Sequence, residues 1–219
     1  HSSNLGGSRA RNTGIELSKG KFLAFLDDDD QWYPQKLERQ LRVIESGEEI
    51  GLVYTWSRLV DINQGSVFIR KDTSRGEVLD EILVRNLFQG STPLIKREVV
   101  STVGAFDPDL PSNQDWEFGI RVAEQYESDY VAEVLVDHFH HGSQSSTDFY
   151  KRLRGRERVV SKHEDKMKTE IKALQYHWLA VNHFLYGSRE RAKAYELEAI
   201  TINPLPRYLL TRFLFLLGR

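Results

Sequence analysis

Four consecutive aspartates, Asp27 to Asp30, follow the apolar run Phe22-Leu23-Ala24-Phe25-Leu26 and stand just before Trp32, Tyr33 and Pro34. Two carboxylates about 4 Å apart repel by about 4 kcal/mol at an effective dielectric of about 20, and by about 1 kcal/mol in water. Such a run is therefore either solvated or supplied with a counter-cation. In an extended chain Asp27 and Asp29 face one side and Asp28 and Asp30 the other. Two hard oxygen ligands then converge, a donor set suited to Mg²⁺ or Mn²⁺. The plain alternative is a solvated acidic turn. The apolar run in front, read as a strand buried on both faces, and the aromatic cluster behind weigh for a metal at the carboxyl edge of a sheet, where α/β proteins bind ligands. An EF-hand is excluded, because the sixth position of its loop needs glycine and here holds Trp32.

A second acid of interest is Asp115. The turn-rich stretch Phe106 to Asn113 leads into a helix predicted from about Gln114, which Asn113 can cap. Asp115 and Glu117 lie in its first turn, where the helix dipole favours negative charge for structural reasons alone.

The elements that must position these acids are legible in outline. "NLGGSRARNTGIELSKG" predicts a glycine-rich turn and a helix near Ala10 to Leu17, closed by Gly20. Leu37, Leu41 and Ile44 keep helical spacing after Pro34. "IGLVYTWSRLVD" and "SVFIRK" predict strands joined at Asn63-Gln64-Gly65. "EVLDEILVRN" predicts a short helix, and "STPLIKREVVSTVGAF" a strand and a helical turn ending at Gly104. A strand up to Val136 then leads to a polar loop with His138, His140 and His141, and Trp32 and Trp116 read as packing residues rather than sugar platforms. The charged segment Lys151 to Thr169 separates this part from a helical tail. Tyr176, Leu179, Ala180, Gly187, Ala192, Ala199 and Pro204 space that tail like one tetratricopeptide-type helix pair.

The 219 residues suffice for one α/β domain and an appendage. A net charge of −2 gives no basic field that would point to nucleic acid. The absence of cysteine excludes disulfides, a thiolate metal site and a cysteine nucleophile, and fits a reducing compartment. No apolar run approaches the roughly 20 residues of a membrane span, and the first residues lack the layout of a signal peptide. A cytoplasmic location is expected, with peripheral contact to the membrane face through the basic and apolar end "PLPRYLLTRFLFLLGR" as the alternative to helix packing.

Four stretches in this order, "NLGGSRARNTGI", "GKFLAFLDDDDQWYPQKLERQL", "STPLIKREVVSTVGAFDPDLPSNQDWEF" and "FHHGSQS", resemble the family 2 nucleotide-sugar glycosyltransferases. The resemblance covers about two thirds of the chain and implies an α/β fold of the GT-A type. That is a Rossmann-like core with a mixed sheet over residues 1–150, amino-terminally truncated, and an all-helical C-terminal extension over 151–219. It implies a metal-dependent, inverting transfer of a sugar from a nucleotide-diphosphate donor to a hydroxyl of a glycan or lipid-linked acceptor. By resemblance, Arg11, Asp27 and Asp28 border the donor, Asp29 and His140 hold Mn²⁺ or Mg²⁺, and Asp115 is the general base. Gln114 stands in place of a more usual glutamate, Ser91 lies on the acceptor side, and His138 stands where many relatives have arginine. Relatives carry a strand-helix-strand unit before the "NLGG" element, so the 219-residue chain is expected to be a fragment with little activity of its own. A nucleotidyltransferase, which would release pyrophosphate, and a non-catalytic partner-binding module are the rival readings.

Overall fold

A computed structural model describes residues 6–140 and 148–204. The chain divides into two compact units, His1–Thr147 and Asp148–Arg219. The first contains α1 (Gly7–Leu17), β1 (Phe22–Ala24), β2 (Asp30–Trp32), α2 (Lys36–Ile44), β3 (Ile50–Asp61), β4 (Ser66–Arg70), α3 (Leu79–Val84), β5 (Leu94–Lys96), α4 (Arg97–Val103), α5 (Gln114–Ala123) and β6 (Glu127–His140).

Its six strands form one mixed sheet in the order β1-β5-β3-β6-β2, with β4 paired to β3. The long β3 is the hinge of the arrangement. Its first half takes β5 and its second half takes β4, both antiparallel, while β6 runs parallel along its other side. Because β1 is antiparallel to β5, strands β1, β3 and β6 share a direction. The end of β1 is level with Val53 in the first half of β3, while β3 and β6 run on together to Asp61 and His140. Ile44 of α2 packs with Ile50, Val53, Leu94, Val131 and Leu135 into a core.

Several sequence expectations are corrected. The strand after Gly20 is three residues long and lies at the sheet edge; Leu23 is buried, but Leu26 is 50% exposed, so the run is not buried on both faces. Helix α1 starts earlier, at Gly7, and its cap is Ser18, whose N–H donates to Gly14 O, rather than Gly20. The buried stripe of α2 is Lys36, Gln40 and Ile44; of the predicted face Ile44 is buried, Leu41 packs partly buried against the core and Leu37 is exposed. Gln40 can be buried there because its Nε2 donates to the carbonyls of Val53 and Thr92, at 2.6 and 2.9 Å. Lys36 Nζ donates to Gln40 Oε1 at 2.8 Å and lies 4.2 Å from the centre of the Trp32 ring.

The second unit contains α6 (Phe149–His163), a 3₁₀ turn (Glu164–Lys166), α7 (Thr169–Tyr186) and α8 (Arg189–Ile202). The charged stretch read as a separator is thus mostly helix, with Leu153, Val159 and Val160 buried. Asp148 caps it by accepting the N–H of Lys151 at 2.9 Å. Glu157 is the polar centre of this unit, accepting from Tyr195 Oη at 2.9 Å and Arg191 Nη1 at 3.1 Å, with His183 Nε2 at 2.8 Å. Among the described residues no helix is long and apolar enough to cross a membrane. The terminal segment considered for membrane contact lies at 204–219, outside the described residues beyond 204.

Candidate active site

The acidic run leads from β1 into β2, whose Asp30 pairs with His138 near the carboxyl end of β6, and three different devices stabilise it. Asp28 and Asp29 occupy a turn closed by the Asp30 N–H, which donates to Asp27 O at 3.1 Å. The turn breaks the strict alternation expected of an extended chain, so the four side chains do not form two opposed pairs. Asp27 receives Arg11 Nη2 at 2.5 Å from its Oδ1. Asp30 turns inward, with its Oδ2 accepting the Ser91 hydroxyl at 2.5 Å and lying 2.7 Å from His138 Nδ1. Asp28 is exposed, and water screens it.

Ser91 joins these pieces. Its hydroxyl oxygen also accepts the Asp27 N–H at 3.0 Å, and its carbonyl accepts Trp32 Nε1 at 2.8 Å. The neighbouring Gly90 leaves the space the ion pair needs. A Cβ there would stand 2.9 Å from Asp27 Oδ2 and 3.3 Å from Arg11 Nη2.

Arg11 reaches the run because α1 is clamped to the loop before α5. Asn12 Nδ2 donates to Phe106 O at 2.8 Å, and Phe106 N–H returns a bond to Asn12 Oδ1 at 3.0 Å. Phe106 itself stacks on Phe118 of α5, their ring centres 4.6 Å apart.

At the start of α5, Asn113 adopts a left-handed conformation with φ of 60° and makes no side-chain capping bond. Its predicted capping role is therefore not realised. Gln114 Nε2 donates back to Leu110 O at 3.2 Å. Asp115 Oδ1 accepts the N–H of Trp116 at 2.9 Å, and Oδ2 accepts Asn86 Nδ2 at 2.9 Å. Burial pushes the Asp115 carboxyl above the ordinary aspartate value; the charge of Arg11 and the bond from Asn86 pull it down, and the charge of Asp27 pushes it up again. Asp115 thus shares one electrostatic neighbourhood with Arg11 and the acidic turn.

His138 and His140 belong to β6 rather than to a loop, and His141 lies outside the described residues. His138 pairs in register with Asp30 of β2, while His140 lies opposite Asp61 of β3 with its Nδ1 3.8 Å from Asp61 Oδ2. His138 Nε2 is buried without a hydrogen-bond partner. A buried nitrogen left unsatisfied is costly and marks a place where a bound group can be accepted. Sequence reasoning passed over Asp30 and Asn86; the first is masked by the longer run, and the second is a lone polar residue after a short helix.

Among the described residues, no three His, Cys, Asp or Glu side chains are set as a complete cage for a metal ion. A Mg²⁺-type cation does not need one, since it is commonly held by one or two carboxylates together with substrate phosphates. The exposed Asp28 and the partly exposed Asp29 could supply carboxylates to that kind of cation.

The family model described as "Glycosyltransferase like family 2" matches residues 2–197. An uncharacterized glycosyltransferase of Haemophilus influenzae is 32% identical over 124 residues, covering 56% of this chain and 42% of its own. One of Methanocaldococcus jannaschii is 25% identical over 184 residues, covering 83% and 59%. The amylovoran biosynthesis glycosyltransferase AmsB of Erwinia amylovora is 33% identical over 127 residues, covering 53% and 41%. This chain thus spans about half the length of these relatives. Among solved structures, the mannosyltransferase PcManGT of Pyrobaculum calidifontis, in complex with GDP-Man and Mn²⁺, aligns over 95% of this chain and 58% of its own, with a TM-score of 0.55 at 16% identity. TarS of S. aureus aligns over 95% and 38%, with a TM-score of 0.60 at 12% identity.

Proposed function

The chain belongs to the glycosyltransferase-like family 2, and from that premise we propose that it transfers a sugar from a nucleotide-diphosphate donor to a hydroxyl of a glycan or lipid-linked acceptor. The observation that carries the reading is the setting of Asp115. It is a half-buried carboxyl at a helix start, near the Arg11 and Asp27 pair, with its pKa raised by burial. A raised pKa brings a carboxylate nearer to the range in which it can take a proton from an alcohol.

In this mechanism Asp115 accepts the proton of the acceptor hydroxyl as its oxygen bonds to the anomeric carbon. The bond from that carbon to the diphosphate breaks on the opposite side, so the configuration inverts. Asp29 would hold Mn²⁺ or Mg²⁺ at the acidic turn, with His140 and the diphosphate as further partners. A bound cation would act there as a Lewis acid, stabilising the negative charge of the departing diphosphate. Asp27, Asp28 and Arg11 would face the donor, and Ser91 and Asp30 hold the turn in shape from behind. The solved mannosyltransferase with GDP-Man and Mn²⁺ supports this donor chemistry on the shared fold, and AmsB supports polysaccharide assembly as the setting.

The test is a screen of nucleotide sugars with Mn²⁺ present, scored for release of the nucleoside diphosphate. Release that Asp115→Asn and Asp29→Ala both suppress supports the proposal. Pyrophosphate as the product would identify a nucleotidyltransferase instead, and donor turnover unaffected by Asp115→Asn would remove that residue from the mechanism.

A further inference from the structure

The two oxygens of Asp115 are held in different ways. Oδ1 accepts the N–H of the next residue, a local bond that any acid at a helix start can make. Oδ2 is reached by Asn86 Nδ2 from the segment after α3, 29 residues earlier. The identity of that donor atom follows from its own neighbour. The N–H of Phe88 lies 3.1 Å from Asn86 Oδ1 and can only donate, so Oδ1 is the acceptor and Nδ2 is the atom turned to Asp115.

The rest of this segment is fixed as well. The Asn86 carbonyl accepts from Arg70, whose Nε donates to the buried Asp72 at 2.6 Å. Phe88 is buried, with its ring centre 5.1 Å from that of Tyr54. It also lies against Gly119, where a Cβ would come within 2.8 Å of Phe88 Cδ2. Gly119 is four residues beyond Asp115, one turn along α5. The segment that carries Asn86 is thus seated on the helix that carries the acid.

We infer that Asn86 is a positioning residue for Asp115, holding one carboxylate oxygen so that the carboxylate keeps a single orientation towards the acceptor. This rests on the reading of Asp115 as the base. The charged groups acting on Asp115 are Arg11, which favours its ionised form, and Asp27, which opposes it. The Asn86 bond adds to the side of Arg11. Its loss must therefore shift ionisation to higher pH and free the carboxylate to rotate.

Two readouts test this in the whole protein. The first is the carboxyl band of Asp115, isolated in infrared difference spectra of wild type against Asp115→Asn. In Asn86→Leu, referenced to Asn86→Leu/Asp115→Asn, that band should titrate about one pH unit or more higher, the scale of one hydrogen bond to a charged group. The second is turnover of the nucleotide sugar identified by the screen. The acid limb of kcat/KM should move up with the band, donor KM should stay near wild type, and Asn86→Leu should add no further loss of kcat on top of Asp115→Asn. Asn86→Asp, which keeps the shape and the bond from Phe88, should shift the band further than Asn86→Leu. An unmoved band in both variants overturns the inference. If Asp115→Asn itself keeps full turnover while the band moves, it is the assignment of the base that fails, and the placement of the Asn86 bond stands.

Discussion

Ser91 stands between two of four adjacent aspartates, accepting the N–H of Asp27 at 3.0 Å while giving its own proton to Asp30 at 2.5 Å. One buried hydroxyl thereby ties the first and last members of the acidic turn to the strand that follows it.

Replacement of Ser91 by alanine should therefore damage both stability and ligand binding. The Asp27 amide loses its acceptor and Asp30 one of its two partners, and an unsatisfied buried polar group costs about 1–3 kcal/mol. Thermal unfolding of Ser91→Ala should show a loss on that scale, and calorimetric titration with Mn²⁺ and a nucleoside diphosphate should show weakened binding. Unfolding and titration curves that overlay those of wild type would contradict the bracing role.

Asp115 should carry a stability cost at neutral pH. Its folded pKa lies above the ordinary value of 3.8, so the folded state binds more protons than the unfolded chain in the window above 3.8. Stability from this group is complete below 3.8 and is lost as pH rises through the folded pKa. The stability of Asp115→Asn relative to wild type should accordingly rise as the pH is raised above 3.8. Parallel pH profiles for the two proteins would show the carboxyl to be unperturbed.

Lys36 is a buried cation with no part in the proposed chemistry, and burial lowers its pKa from 10.5 to about 7. Below pH 7 the amine is charged in both states and the full cost of burial is present. The cost is relieved between pH 7 and 10.5, where the folded state carries the neutral amine. Lys36→Met removes this dependence and leaves Gln40 Oε1 without its donor. From pH 6 to 9.5, the stability of Lys36→Met relative to wild type should fall by about 2–4 kcal/mol. A constant difference over that range would mean that the Trp32 ring face compensates the buried charge in full.

The parts of this fold that could be read from the sequence are those governed by neighbours along the chain. The strand β3, the turn at Gly65 and the helix stop at Gly104 all follow from local pattern, and both glycines have positive φ. The placement of Asp115 in the first turn of a helix was legible for the same reason. What stayed hidden depends on distant partners. Strand β2 is three residues long and exists through pairing with β6, more than a hundred residues on, and that pairing draws His138 onto Asp30. The burial of Gln40 and Lys36 contradicts their residue types; Gln40 is held by carbonyls of Val53 and Thr92, and Lys36 by Gln40 and the Trp32 ring, partners that no periodicity reveals. Asn86 has no signature beyond a polar residue after a short helix.

Arg11 acts on two acids with different proposed duties, Asp27 on the donor side and Asp115 on the acceptor side. Substitutions at these two acids should consequently be coupled through the shared guanidinium. Neutralising Asp27 releases Arg11 to serve Asp115 alone, which makes that carboxyl more acidic; neutralising Arg11 removes the counter-charge of both. The effects of substitutions at the three positions should therefore be non-additive. A variant of this enzyme family that changes its donor by altering the first aspartate would, through the same guanidinium, also change the pH at which its acceptor is activated.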